Sequence, residues 1–118
     1  MFLEKIKSPA DVKSLDVQSL EQLAAEMRVA LLKKLSQRGG HVGPNLGFVE
    51  ATIALHYVFE SPKDKIVYDV SHQSYSHKML TGRAQAFLDE SHYGDVTGYS
   101  EPTESEHDFS WWGILRHR

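Results

Sequence analysis

Leu20, Leu23, Ala24, Met27, Leu31 and Leu35 recur at spacings of three and four, with polar residues between them. That period is one face of an amphipathic helix. Asp16 or Ser19 is placed to cap its start, and Gly39-Gly40 to stop it. Upstream, Ser8-Pro9-Ala10-Asp11 predicts a short helix ending near Leu15, with Ser8 as N-cap and Pro9 in the first helical position. A third helix is expected from Gly47 or Phe48 to Phe59. It is apolar around nearly its whole circumference, which predicts burial on several sides. Glu50 lies in its first turn, where a carboxylate suits the helix dipole.

Ser61-Pro62-Lys63-Asp64 reads as a loop. Lys65-Ile66-Val67-Tyr68-Asp69-Val70 is a nearly continuous apolar run of the buried parallel-strand type. A helix from about Gln73 to Leu80 follows, closed by Thr81-Gly82, and Ala84 to Leu88 is a weaker helical turn. From Asp89 to Ser110 the chain is polar. It reads as loop with at most a short extended piece around Val96 to Tyr99, and residues after about Asp89 are expected to be poorly ordered or borrowed into a contact between copies. A single buried-type strand has no sheet of its own to join. The expected fold is therefore α/β, mostly helical with one or two short strands and an incomplete sheet, the opening of a larger doubly wound domain.

The chain has 118 residues, room for one domain. A net charge of −3, with no run of Lys or Arg, gives no case for nucleic acid or for an anionic membrane. Cysteine is absent, which excludes disulfides and thiolate metal sites and fits a cytoplasmic protein. No apolar run approaches the roughly 20 residues that span a bilayer, and Met1 to Ser8 contain no apolar stretch of the secretory type.

Two histidines stand at backbone discontinuities. His41 sits in the glycine-rich turn Arg38-Gly39-Gly40-His41-Val42-Gly43. His72 comes two residues after the strand, at the strand end where open α/β folds bind ligands. Imidazoles on such turns suit polar chemistry. The local pattern also allows a plain reading of each, an exposed C-cap residue at His41 and a capping or core histidine at His72. His72 and His77 are five apart, a spacing that does not place two metal ligands on one helical face, so no metal site is expected. The acidic stretch Asp89, Glu90, Glu101, Glu104, Glu106 and Asp108 reads as a solvated loop. No G-x-x-x-x-G-K-[ST], G-x-G-x-x-G or G-x-S-x-G motif occurs.

Several motifs resemble the start of the 1-deoxy-D-xylulose-5-phosphate synthase family, thiamine-diphosphate enzymes of the transketolase superfamily. They are Gly39-Gly40-His41 with Leu46-Gly47; Glu50 with Ala54-Leu55-His56-Tyr57-Val58-Phe59; Asp69-Val70, His72-Gln73, Tyr75 and His77-Lys78 with Leu80-Thr81-Gly82-Arg83; and Gly98 with Ser105-Glu106-His107-Asp108. The resemblance covers roughly Phe2 to Phe109. Ser71 and Ser76 depart from the family's usual glycine and proline, and Pro44-Asn45 from a pair of small residues. The resemblance implies that residues 1–109 are the N-terminal portion of a thiamine-diphosphate-binding domain, with His72 contacting thiamine diphosphate and His41 a catalytic residue facing the substrate or the reacting thiazolium side. It implies a reaction of pyruvate with glyceraldehyde 3-phosphate, with loss of carbon dioxide. A transketolase-type enzyme with another donor is the alternative, and a non-catalytic domain that only self-associates is a second.

After Ser110 the sequence leaves the family pattern. Codons for Trp111-Trp112-Gly113-Ile114-Leu115-Arg116-His117-Arg118 can be chosen that spell Val-Gly-His-Thr-Ser-Thr-Ser, the family's next motif, in a shifted frame. Residues 110–118 are therefore expected to be an out-of-frame tail. The magnesium-binding Gly-Asp-Gly…Asn element of the superfamily does not occur. The chain alone is accordingly expected to bind neither thiamine diphosphate nor Mg2+ and to be inactive. Its uncovered apolar surface predicts a homo-oligomer.

Overall fold

A computed structural model describes residues 1–40, 42–68 and 73–109. Six helices form among them: α1 (Pro9–Lys13), α2 (Val17–Arg38), α3 (Val42–Gly47), α4 (Val49–Val58), α5 (Tyr75–Leu80) and α6 (Gln85–Leu88). Short 3-10 turns occupy Leu3–Lys5 and Glu90–Asp95.

Local chemistry sets the helix ends. The Asp11 carboxylate accepts the N–H groups of Lys7 and Ser8 at 2.8 and 3.2 Å, closing the start of α1. Asp16 is the cap of α2, its Oδ1 accepting from Ser19 N–H at 2.8 Å. At the other end Gly39 adopts φ +76° and Gly40 φ +130°. The turn therefore requires glycine directly before His41, and a Cβ on Gly40 would also push on Leu35 Cδ2, 2.8 Å away.

The core forms on α2. Leu23, Met27 and Leu31 are fully buried, with Ala24, Ala30 and Leu35 beside them. They meet Leu3, Ile6, Val12, Val49, Ile53, Met79, Leu80 and Phe87 from the surrounding elements. Lys13 lies across the end of α4 and donates to the carbonyls of His56, Tyr57 and Phe59, groups that have no partner within the helix.

Two expectations change. α4 is not buried on several sides: Val49, Thr52, Ile53 and His56 face the core, while Tyr57, Val58 and Phe59 stay exposed. No second layer covers its outer face among the described residues. Of the expected strand, residues 65–68 form only one parallel bridge, Val67 to Phe109, and Asp69 and Val70 lie outside the described residues. The described part of the fold is therefore mostly helical. Within residues 89–109, Tyr93, Val96, Ser100 and Asp108 are buried.

A candidate site at the histidine-bearing turns

His41 and His72, the two residues singled out from the sequence, lie outside the described residues, as do Asp69, Val70 and Ser71. Their flanks are described. Val42, next to His41, opens α3, and Asn45 on that helix is almost fully buried. Its Oδ1 accepts the backbone N–H of Tyr75, the first residue of α5, at 3.3 Å. That N–H is one of the helix-start donors that need an outside acceptor. The bond joins the segment after His41 to the segment after His72. On the other side of residues 69–72, Tyr68 is buried with its ring edge-on to Phe48 at 5.9 Å and to His77 at 5.8 Å. Ser74 and Ser76 are buried, and each hydroxyl lacks a hydrogen-bond partner.

Beneath α5 lies a chain of buried polar groups. His56 on α4 and His77 on α5 stack with centroids 4.9 Å apart, and His56 Nε2 lies 2.8 Å from His77 Nδ1. His77 Nε2 faces the carbonyl of His107 at 2.8 Å. A carbonyl only accepts, so His77 donates there through Nε2–H. With His77 neutral, its Nδ1 is then an acceptor, and His56 donates to it through its own Nε2–H. His56 Nδ1 is left as a buried acceptor without a partner. Burial, then the neighbouring His77, holds the His56 imidazole down to about 3, so it stays uncharged at neutral pH.

His77 Nε2 also lies 3.4 Å from Asp108 Oδ1. Asp108 is gripped on both oxygens by Arg83: Nη1 to Oδ2 at 2.8 Å and Nη2 to Oδ1 at 2.7 Å. The N–H of Glu101 adds a bond to Oδ2 at 3.0 Å. Burial pushes this carboxyl up, but the bonds from Arg83, His77 and Glu101 outweigh it and hold Asp108 well below the usual carboxylate range. Arg83 reaches Glu104 at 2.9 Å as well, and Glu104 accepts from the buried Lys78 ammonium at 3.0 Å. Burial lowers Lys78, while Glu104 pulls it back.

The acidic stretch was expected to be a solvated loop, and Glu104 and Asp108 overturn that. Lys78, Arg83, His56 and His77 are further residues of this assembly that the sequence did not single out for it. The one signal was the run His77-Lys78…Arg83, three nitrogen-bearing side chains on and just after a short helix. Their partners lie 21 to 26 residues away in the chain.

A sequence profile described as 1-deoxy-D-xylulose-5-phosphate synthase matches residues 3–113. The chain belongs to the 1-deoxy-D-xylulose-5-phosphate synthase family. It is 56% identical over 106 residues to the synthase of Listeria monocytogenes serotype 4b, covering 90% of this chain and 17% of that protein. It is 50% identical over 108 residues to the synthase of Dictyoglomus turgidum, covering 92% of this chain and 18% of that protein. The Corynebacterium jeikeium synthase is 53% identical over 109 residues, covering 92% and 17%. The chain thus spans less than a fifth of the length of these curated relatives. No helix among the described residues is long and apolar enough to cross a membrane.

The resemblance implies thiamine diphosphate held through Mg2+. Among the described residues, no three His, Cys, Asp or Glu side chains converge to hold an ion. The buried carboxylates Glu104 and Asp108 already answer Lys78 and Arg83. These two carboxylates are therefore not free to ligate a magnesium ion.

Proposed function

We propose that residues 1–109 are the N-terminal portion of the thiamine-diphosphate-binding domain of a 1-deoxy-D-xylulose-5-phosphate synthase, a doubly wound α/β domain whose sheet this segment only begins. The parent reaction in this reading is the cytoplasmic condensation of pyruvate with glyceraldehyde 3-phosphate, with loss of carbon dioxide. The segment contributes two histidines to one cleft: His72 as a contact of thiamine diphosphate, His41 on the side of the substrate. Thiamine diphosphate supplies carbanion stabilisation when bound, and the protein positions the reactants. The Asn45–Tyr75 bond carries the reading, since it ties together the two elements that follow these histidines. His41 precedes Asn45 by four residues and His72 precedes Tyr75 by three.

The unit as given is inactive in this reading and binds no cofactor. The absence of a Gly-Asp-Gly…Asn element from these 118 residues supports that part. The test is a chimera joining residues 1–109 of this chain to the remainder of the Listeria monocytogenes relative. It should form 1-deoxy-D-xylulose 5-phosphate, and His41→Ala and His72→Ala should each lower turnover or cofactor affinity by about 10-fold to 10⁴-fold. The unjoined chain should show neither turnover nor calorimetric binding of thiamine diphosphate with Mg2+. A chimera untouched by either substitution refutes the assignment.

A further inference from the structure

We propose that the groove between α2 and α4 is filled in cis by residues 111–118 of this same chain, a segment that lies outside the described residues. The groove has a volume of about 620 Å³. Val17, Leu20 and Ala24 line one wall, and Ile53, Ala54 and Val58 the other. Arg28 bonds Glu50 at one end of it. The other end is an apolar mouth, where Val17 is 70% and Val58 68% exposed, with Tyr57 and Phe59 exposed beside them.

The segment and the groove match in order. Trp111, Trp112, Ile114 and Leu115 are apolar, and Arg116 and Arg118 follow them. Entering at the mouth, the apolar side chains meet apolar walls, and the two guanidinium groups come to the carboxylates on the rim, Glu21 and Glu50. Glu21 has no ion-pair partner among the described residues, and Arg28 holds only one oxygen of Glu50. Two tryptophans bring a large apolar area to a face that water otherwise wets.

The segment also starts where it can enter. His107 Nδ1 lies 2.8 Å from Ser61 Oγ, just past the end of α4, and Phe109 bridges Val67. The chain therefore leaves the described fold beside the C-terminal end of α4, the end that forms the mouth. From Val17 to Arg28, α2 runs about 17 Å. Residues 110–118 reach about 30 Å when extended, enough to round the end of α4 and follow the groove. Tethering holds the segment at an effective concentration on the order of millimolar. Its own groove therefore outcompetes that of another molecule in micromolar solution.

Tryptophan fluorescence of the full chain tests this, because Trp111 and Trp112 are its only tryptophans. Their emission should be blue-shifted from that in urea, shielded from acrylamide and unchanged on dilution. Ala54→Arg puts a charge into the groove and should abolish both the shift and the shielding. Val29→Arg, at an exposed position of α2 outside the groove, should leave both intact. Circular dichroism checks that the two variants remain folded. The chain has no cysteine, so an Ala54→Cys/Leu115→Cys variant carries only two thiols. It should close an intramolecular disulfide at least about 10-fold faster than Val29→Cys/Leu115→Cys. Emission like that in urea overturns the proposal, as does a shift that Ala54→Arg leaves in place in a folded chain. A shift that grows with concentration puts the segment in another molecule and overturns it too, and so do two cysteine pairs that close at equal rates.

Discussion

Arg83 and Asp108 meet as a parallel fork, 2.8 Å on one arm and 2.7 Å on the other, across 25 residues of chain. The pair clamps the segment after α6 onto the turn between α5 and α6. Asp108 has no exposed side-chain surface, and its arginine partner very little. Removing one partner strands the other charge in a low-dielectric site, which costs about 3–5 kcal/mol. Arg83→Ala should lower the unfolding free energy by that amount in urea titration. Arg83→Lys should recover only part of it, since an ammonium cannot fill the fork.

Acid should weaken the fold in two windows. His56 stays neutral in the folded chain down to about pH 3, whereas an unfolded imidazole takes a proton near pH 6.5. The unfolded state binds more protons between those values, so stability falls as pH drops below about 6.5. The slope is at most about 1.4 kcal/mol per pH unit. Going from pH 7 to 5 therefore removes up to about 2 kcal/mol. The depressed Asp108 carboxyl acts lower: its contribution is present above the unfolded value near pH 4 and is lost as pH falls further. In urea titrations, His56→Gln should flatten the upper window and leave the lower one.

Ser76 carries a buried hydroxyl without a hydrogen-bond partner. Such a group loses its hydration on folding and gains nothing in return. Ser76→Ala should therefore raise the stability, by about 0.5–1.5 kcal/mol, seen as a higher melting temperature. A clear loss would mean that the hydroxyl has a partner after all.

Asn45 reports on the link between the two turns. Asn45→Ala leaves the Tyr75 N–H without this acceptor and should cost about 1–2 kcal/mol. In the chimera it should also lower cofactor affinity while the far face of α2 is unaffected, which amide exchange at residues 17–32 would check.

The long helices were legible because their information is local. α2 carries both its apolar period and its caps, Asp16 and Gly39, within its own sequence. The outer face of α4 was misread for a related reason. Ala54, Tyr57 and Val58 are apolar, but whether anything covers them depends on elements elsewhere. α3 was missed because Gly43, Pro44 and Asn45 favour turns, and Pro44 is tolerated only in a first helical turn. The buried polar chain was not legible either. His56, His77, Arg83 and Asp108 look like solvated or core residues until folding brings them together. Of the candidate site, the family motifs marked His41 and His72, while the Asn45–Tyr75 bond that joins their flanks needed the structure.

The central claim is that the turns bearing His41 and His72 form one site. The chain has no cysteine, so a His41→Cys/His72→Cys double variant presents only those two thiols. Dibromobimane becomes fluorescent when both of its arms react. The folded variant should give rapid intramolecular cross-linking, lost in urea and slowed by Asn45→Ala. A folded variant that labels each thiol singly and never closes the bridge would contradict the account.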